Sequence, residues 1–108
     1  MGVKIIPLVN AEKTPQKDVV LDPAGFFVIE VTRKGIKVEY YSNVYREGKI
    51  VSGKLEKVFS GKTADALGDT IAQHIPMLRQ EHYLYLGREL QRAQYAFEHK
   101  EKYEQEGC

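Results

Sequence analysis

The stretch of sequence that decides the fold is Phe27-Val28-Ile29-Glu30-Val31-Thr32-Arg33-Lys34-Gly35-Ile36-Lys37-Val38-Glu39-Tyr40-Tyr41. Large apolar residues recur at every second position on both sides of Arg33-Lys34-Gly35, a period typical of a β-strand. Gly35 permits the positive φ of a tight turn. We therefore predict an antiparallel hairpin. Its core face carries alternate apolar side chains, namely Phe27, Ile29, Val31, Ile36, Val38 and Tyr40.

The segments on either side extend this hairpin into a sheet. Residues 50–59 predict a third long strand with imperfect alternation, and Gly53 is the expected position of a β-bulge. Residues 1–20 include a short apolar run interrupted by proline, which predicts an N-terminal arm or an edge strand. The predicted antiparallel sheet covers residues 21–59.

Two helices are predicted after the sheet, over residues 63–103. Thr63 is a suitable N-cap, and Asp65 in the first turn suits the positive end of a helix. Ala64, Leu67, Ile71 and Ile75 form an apolar stripe with helical spacing over residues 64–75. A second helix over residues 80–103 carries a narrower stripe, formed by Tyr83, Leu86, Leu90, Ala93 and Phe97.

The 108 residues predict one domain over residues 1–108, because a chain of this length forms a single core. The fold class is α+β: an antiparallel meander of three to four strands followed by two C-terminal helices packed on one face. The opposite face carries Phe26, Val28 and Tyr41. We expect this face to be incompletely covered, so that a second copy or a partner enzyme would bury it.

Composition and charge exclude several classes of protein. The 16 basic and 15 acidic side chains give a net charge of +1, without the basic surplus of a nucleic-acid-binding protein. No apolar run approaches the length of a signal peptide core or a membrane span. We therefore expect a cytoplasmic protein without a membrane or nucleic-acid partner. The single cysteine, Cys108, cannot form an internal disulfide.

The Gly61-Lys62-Thr63 sequence superficially resembles a phosphate-binding loop. That motif requires a glycine five positions before Gly61, and this position is Glu56. A carboxylate there would repel a phosphate. A turn followed by a helix N-cap is the better interpretation.

The candidate site lies at the border of the apolar stripe of the second helix. His82 and Glu89 are about 20° apart on the helical wheel, and Tyr85 extends the same border. A histidine beside a carboxylate can act as an acid/base pair or bind a ligand, but it can also be a structural pair that closes the sheet–helix interface. Both interpretations stay open at this stage.

Two neighbouring residues complete the candidate ligand site. Gly87 interrupts a strong helix, which is explained if another backbone or a flat ligand approaches closely. Arg88 lies on a different side of the helix from His82. The candidate ligand-binding residues are His82, Tyr85, Gly87, Arg88 and Glu89.

The sequence predicts neither a catalytic group nor a bound cofactor. One histidine and one glutamate provide fewer ligands than zinc requires, so no metal site is predicted. No serine or cysteine lies in a nucleophile motif. We therefore expect that the protein has no catalytic activity of its own.

Several segments together resemble a known family. They are Asp22-x-x-Gly25-Phe26-Phe27-Val28-Ile29, Val38-Glu39-Tyr40-Tyr41, Gly61-Lys62-Thr63-Ala64 and His82-x-x-Tyr85-Leu86-Gly87-Arg88-Glu89-Leu90. The order resembles an uncharacterised module at the C-terminus of archaeal dihydropteroate synthase-like proteins. The module is also associated with proteins related to one component of tetrahydromethanopterin S-methyltransferase.

This resemblance implies a role in pterin-linked one-carbon metabolism of an archaeon or anaerobic bacterium, but it implies no reaction. Two hypotheses follow. The first is an accessory module that forms a homo-oligomer or assembles with a partner enzyme of one-carbon metabolism. The second is a small-molecule or acid/base site around His82 and Glu89, with a pterin-like or anionic metabolite as its ligand.

Overall fold

The computed structural model describes residues 4–6, 12–14, 21–22, 25–75 and 78–106. Its strands and helices are β1 (Lys4–Ile6), β2 (Glu12–Lys13), β3 (Leu21–Asp22), β4 (Gly25–Thr32), β5 (Gly35–Arg46), β6 (Lys49–Gly61), α1 (Ala64–His74) and α2 (Gln80–His99). The described strands form one antiparallel sheet in the order β1-β6-β5-β4-β3, with β2 also paired to β6. The predicted α+β class is confirmed. The remainder of the predicted arm over residues 1–20, and Cys108, lie outside the described residues.

The hairpin of β4 and β5 has the predicted register and core face. Ile29 pairs with Val38, and Gly35 adopts the positive φ of 144° at the turn. The predicted core residues lie in the main cluster, where Val31 is partly buried and the others are buried. Helix α2 packs against β4 and β5, and α1 packs against β6 and α2. Both helices therefore cover the same face, as predicted.

The opposite face of the sheet is covered, contrary to the expectation for Phe26, Val28 and Tyr41. Phe26 and Tyr41 are 1% and 4% exposed, and they form a second cluster with Leu55 and Val58. The rings of Phe26 and Tyr41 stack with their centroids 5.2 Å apart. Only Val28 of the three is partly exposed. Phe26 and Tyr41 therefore belong to a second small core within the chain.

The β-bulges of β6 do not lie at Gly53 as predicted. Register shifts occur between Tyr40 and Tyr41 and between Val44 and Tyr45, whereas Gly53 pairs regularly with Asn43. The first shift places Leu55 and Val58, three residues apart, in the same cluster. Gly53 instead makes room for a ring, because a Cβ there would lie 2.6 Å from Cζ of Phe26.

The helices begin as predicted, and the second one ends early. Thr63 Oγ1 accepts a hydrogen bond from the Ala66 backbone N–H at 3.3 Å, which caps α1. Helix α2 begins at Gln80 but ends at His99 instead of at residue 103, because Lys100 adopts a left-handed conformation with φ 55°. Residues 101–106 form no regular secondary structure. Neither helix is long and apolar enough to cross a membrane, within the part of the chain that the structure describes.

Candidate functional site

The predicted site contains a fully buried carboxylate. Glu89 lies on the inner side of α2 and is 0% exposed. Its Oε1 atom accepts three hydrogen bonds: from Arg92 Nη1 at 2.7 Å, from the Tyr103 hydroxyl at 2.9 Å and from the Glu106 backbone N–H at 3.1 Å. A buried charge is costly unless it is paired and hydrogen-bonded, and these donors meet that requirement for Oε1.

The second oxygen of Glu89 has a different environment. Oε2 accepts no hydrogen bond within the described structure, and it forms an ion pair with Arg88, whose Nε lies 3.5 Å away. The Arg88 guanidinium lies 5.4 Å from the centre of the Tyr85 ring, within the range of a cation–π interaction. The fold therefore brings three of the candidate residues together, namely Tyr85, Arg88 and Glu89.

The surroundings of the Tyr103 hydroxyl, which include Glu89, raise its pKa. Burial raises the pKa of the Tyr103 hydroxyl well above its usual range, and the hydrogen bond and the negative charge of Glu89 raise it further. Arg92, whose guanidinium lies 5.7 Å from the ring centre, acts in the opposite direction. Tyr103 therefore stays protonated and donates to Glu89 at physiological pH.

Hydrogen bonds of Glu89, Tyr85 and Gln105 hold residues 101–106 against the edge of the sheet. The Tyr85 hydroxyl donates to the Glu106 carbonyl, while Glu89 accepts from the N–H of the same residue. The Gln105 amide then binds the β4 backbone: its Oε1 accepts from the Ile29 N–H at 2.8 Å, and its Nε2 donates to the Phe27 carbonyl at 3.1 Å. The side-chain amide of Gln105 thus forms two hydrogen bonds with β4 of the kind that a neighbouring strand would form.

Sequence reasoning missed this arrangement of Tyr103, Gln105 and Glu106. The predicted helix continued through Tyr103, and no glycine marks its end at Lys100. The available signal was Glu89 itself, because a carboxylate on the border of an apolar stripe requires donors from elsewhere in the chain.

His82 is not among the groups described around Glu89. Seven helical residues separate the two Cα atoms by about 10 Å along the axis, whereas Arg92 lies within one turn of Glu89. The His82 side chain is half-buried and has interactions of its own. The contacts described for Glu89 therefore give no support to the predicted acid/base pair.

Gly87 has no close neighbour, contrary to the expected approach of another backbone. The residue is exposed, and a Cβ built there would meet no atom within 4 Å. Close helix–sheet packing is therefore not the reason for this glycine. The apolar stripe instead packs into the main core through residues such as Leu86 and Leu90.

An open groove of about 930 Å³ lies where the β4–β5 turn meets the C-terminal end of α2. Its lining combines apolar and charged residues, namely Val31, Thr32, Arg33, Ala96, Phe97, Glu98, Lys100 and Glu101. Sequence reasoning did not identify it, because its two sides are more than 60 residues apart in the chain. Within the described ranges, no three histidine, cysteine, aspartate or glutamate side chains are grouped to hold a metal ion.

The comparisons with known proteins cover most of the chain. A family model described as PterinBD-DUF4346 matches residues 21–106. The chain is also similar to a Ycf91-like protein from Nostoc sp. (strain PCC 7120), with 32% identity over 114 aligned positions that cover 87% of this chain and 90% of the relative. No solved structure matches the chain. The family description names a domain of unknown function associated with pterin binding, which agrees in part with the resemblance carried by the sequence motifs.

Proposed function

From the premise that this chain belongs to the PterinBD-DUF4346 family, we propose that it is an accessory or binding module of pterin-dependent one-carbon metabolism. It acts in the cytoplasm without catalysing a reaction itself, by assembly with a second copy or with a partner enzyme. Dihydropteroate synthase-like proteins and proteins related to the tetrahydromethanopterin S-methyltransferase component are the partner classes that the resemblance implies.

The observation that best supports an accessory role is that Glu89 accepts its hydrogen bonds from within the protein. A catalytic acid or base must face the atoms of a substrate. The Oε1 atom of Glu89 instead accepts three internal hydrogen bonds that hold Tyr103 and Glu106 in place. The most strongly buried charge of the predicted site therefore maintains the shape of the molecule.

A second candidate function is a small-ligand or acid/base site at the sheet–helix seam around His82 and Glu89, for a pterin-like or anionic metabolite. It is favoured by one observation: Oε2 of Glu89 is buried without a hydrogen bond in the described structure. A ligand N–H group would satisfy this atom once the side chains that bury Glu89 have moved aside. The three internal donors on Oε1 make this function the weaker of the two.

Sedimentation velocity with the purified chain tests assembly. The chain is analysed alone over a range of concentrations and then mixed with dihydropteroate synthase purified from the same organism. A faster-sedimenting species, either of the chain alone or of the mixture, supports the proposal. A monomer that leaves the sedimentation of the synthase unchanged would refute assembly with this enzyme and with itself.

A histidine NMR titration distinguishes the seam site. In the second function, added pterin shifts the His82 ring resonances, whereas the exposed ring of His74 in α1 serves as the control. Unchanged His82 resonances at saturating pterin would rule out the seam as the binding position.

A further inference from the structure

The groove beside the C-terminal end of α2 has the size and the mixed lining of a small-molecule site. Its volume of about 930 Å³ lies within the range of ligand pockets in proteins, about 300–1,000 Å³. Such sites combine apolar walls with a few polar groups that orient the ligand. This groove combines both, because apolar and charged side chains line it together.

The apolar floor arises because the ridge of α2 extends beyond the strand that covers it. Leu86, Leu90 and Ala93 are buried against the sheet, but Phe97 is only half-buried. Strand β4 ends at Thr32, and both Thr32 and Phe97 line the groove. An aromatic ring, with Val31 and Ala96 beside it, thus lines a cleft that is open to solvent, and such a ring can stack on a flat heterocycle.

The polar lining has two signs of charge. Glu98 and Glu101 line the groove at the negative end of the α2 dipole, where groups that donate hydrogen bonds are favoured. Arg33, from the β4–β5 turn, and Lys100 supply cations in the same lining. A ligand that fits this set is flat, with N–H donors along one edge and an oxygen or nitrogen acceptor elsewhere.

We propose that this groove binds the 2-amino-4-oxopteridine ring of a pterin, with Phe97 against the ring face and Glu98 or Glu101 on the amino-pyrimidine edge. This inference rests on the proposed function, which supplies the pterin context. The 2-amino group and N3–H form a pair of adjacent donors similar to one side of a guanidinium, which a carboxylate accepts through two parallel hydrogen bonds. Arg33 donates to an acceptor on the opposite side of the ring.

The choice between a pterin and a close analogue provides the sharpest test. Lumazine has the same ring with a second carbonyl in place of the 2-amino group, so it cannot offer the paired donors to a carboxylate. Each ligand is titrated into the full chain while its own fluorescence is recorded. We expect pterin to bind about tenfold or more tightly than lumazine, the ratio that corresponds to one lost charge-assisted hydrogen bond.

Variants then locate the site. Glu98→Gln and Glu101→Gln, singly and together, remove the carboxylates from exposed positions without disturbing the core. We expect at least one of them, or the double variant, to weaken pterin binding about tenfold and to reduce the preference over lumazine. Glu81→Gln is the matched control, because this exposed residue lies at the opposite end of the same helix and should leave binding unchanged.

The possible outcomes distinguish a failure of the groove as the binding site from a failure of the proposed function. Pterin binding that all carboxylate variants leave intact would overturn the groove as the site while retaining a pterin-binding module. Equal affinity for pterin and lumazine would overturn recognition by a carboxylate. No pterin binding would overturn the inference altogether, while the sedimentation experiment with the synthase decides the accessory role independently.

Discussion

The Tyr103 hydroxyl donates a hydrogen bond to Oε1 of Glu89 across 2.9 Å, which joins the segment after α2 to the middle of that helix. Glu89 is buried, and Tyr103 packs against the main core. The segment 101–106 is therefore part of the folded structure, and Glu89 provides part of its attachment beside the contacts of Gln105 and Tyr85. Measurements of stability and of hydrogen exchange test this attachment.

Glu89→Gln should destabilise the protein by about 2 kcal/mol. The substitution preserves the shape of the side chain but removes the charge that accepts hydrogen bonds from Arg92 and Tyr103, and bonds to charged groups contribute about 1.5–3 kcal/mol. Urea unfolding followed by circular dichroism measures the change. Glu81→Gln, at an exposed position of α2, is the control and should change the stability by less than about 0.5 kcal/mol. Equal stability of the two variants would contradict a structural role for Glu89.

The protein should lose stability as the pH rises above the ordinary tyrosine pKa of 10.0. Below that pH, Tyr103 is protonated in both the folded and the unfolded chain. Above it, the unfolded chain releases a proton that the folded chain retains, because burial and Glu89 raise the folded pKa, so unfolding becomes more favourable. Burial and Glu39 act on Tyr41 in the same direction and raise its pKa to about 12.

Tyr103→Phe isolates the contribution of this hydroxyl. The variant should be less stable at neutral pH by about 1 kcal/mol, yet its stability should fall less steeply above pH 10. Unfolding free energies measured across that range provide the comparison. Tyr95→Phe, at an exposed position, should parallel the parent protein. Parallel curves for Tyr103→Phe and the parent would show that Tyr103 does not cause the alkaline loss.

Gln105→Ala should expose the edge of β4 locally. The Gln105 amide satisfies the Ile29 N–H and the Phe27 carbonyl, and a lost hydrogen bond of this kind costs about 1 kcal/mol. Hydrogen exchange by NMR should show a faster Ile29 amide in the variant, with the Val38 amide of the neighbouring strand as the internal reference. An unchanged exchange rate at Ile29 would mean that this contact does not protect the strand edge.

Gly87→Ala should stabilise the protein by about 1 kcal/mol, the difference in helix propensity between the two residues. An added methyl group meets no atom within 4 Å, so no clash offsets this gain. Thermal unfolding of the variant and the parent measures the effect. Gly68→Ala in α1 is a matched control with the same open surroundings. A decrease in stability at Gly87 alone would indicate a close contact in solution, such as a second copy of the chain.

Local patterns predicted much of this structure because they depend on neighbouring residues. The period of two around Gly35 predicted the hairpin register, and Thr63 and Asp65 predicted the start of α1. The same patterns failed at positions whose structure depends on contacts between residues far apart in the sequence. Gly53 is explained by the ring of Phe26, and the end of α2 at Lys100 has no glycine to mark it.

For the candidate site, the sequence by itself determined that a carboxylate at Glu89 would border the apolar stripe of a long helix, because helical spacing dictates which side chains share a face. Only the tertiary structure decided its partners. Glu106 and Tyr103 reach Glu89 after the chain reverses at Lys100, and the groove forms where the β4–β5 turn meets Phe97. Such contacts arise when the whole chain buries its apolar surface, so local periodicity does not encode them.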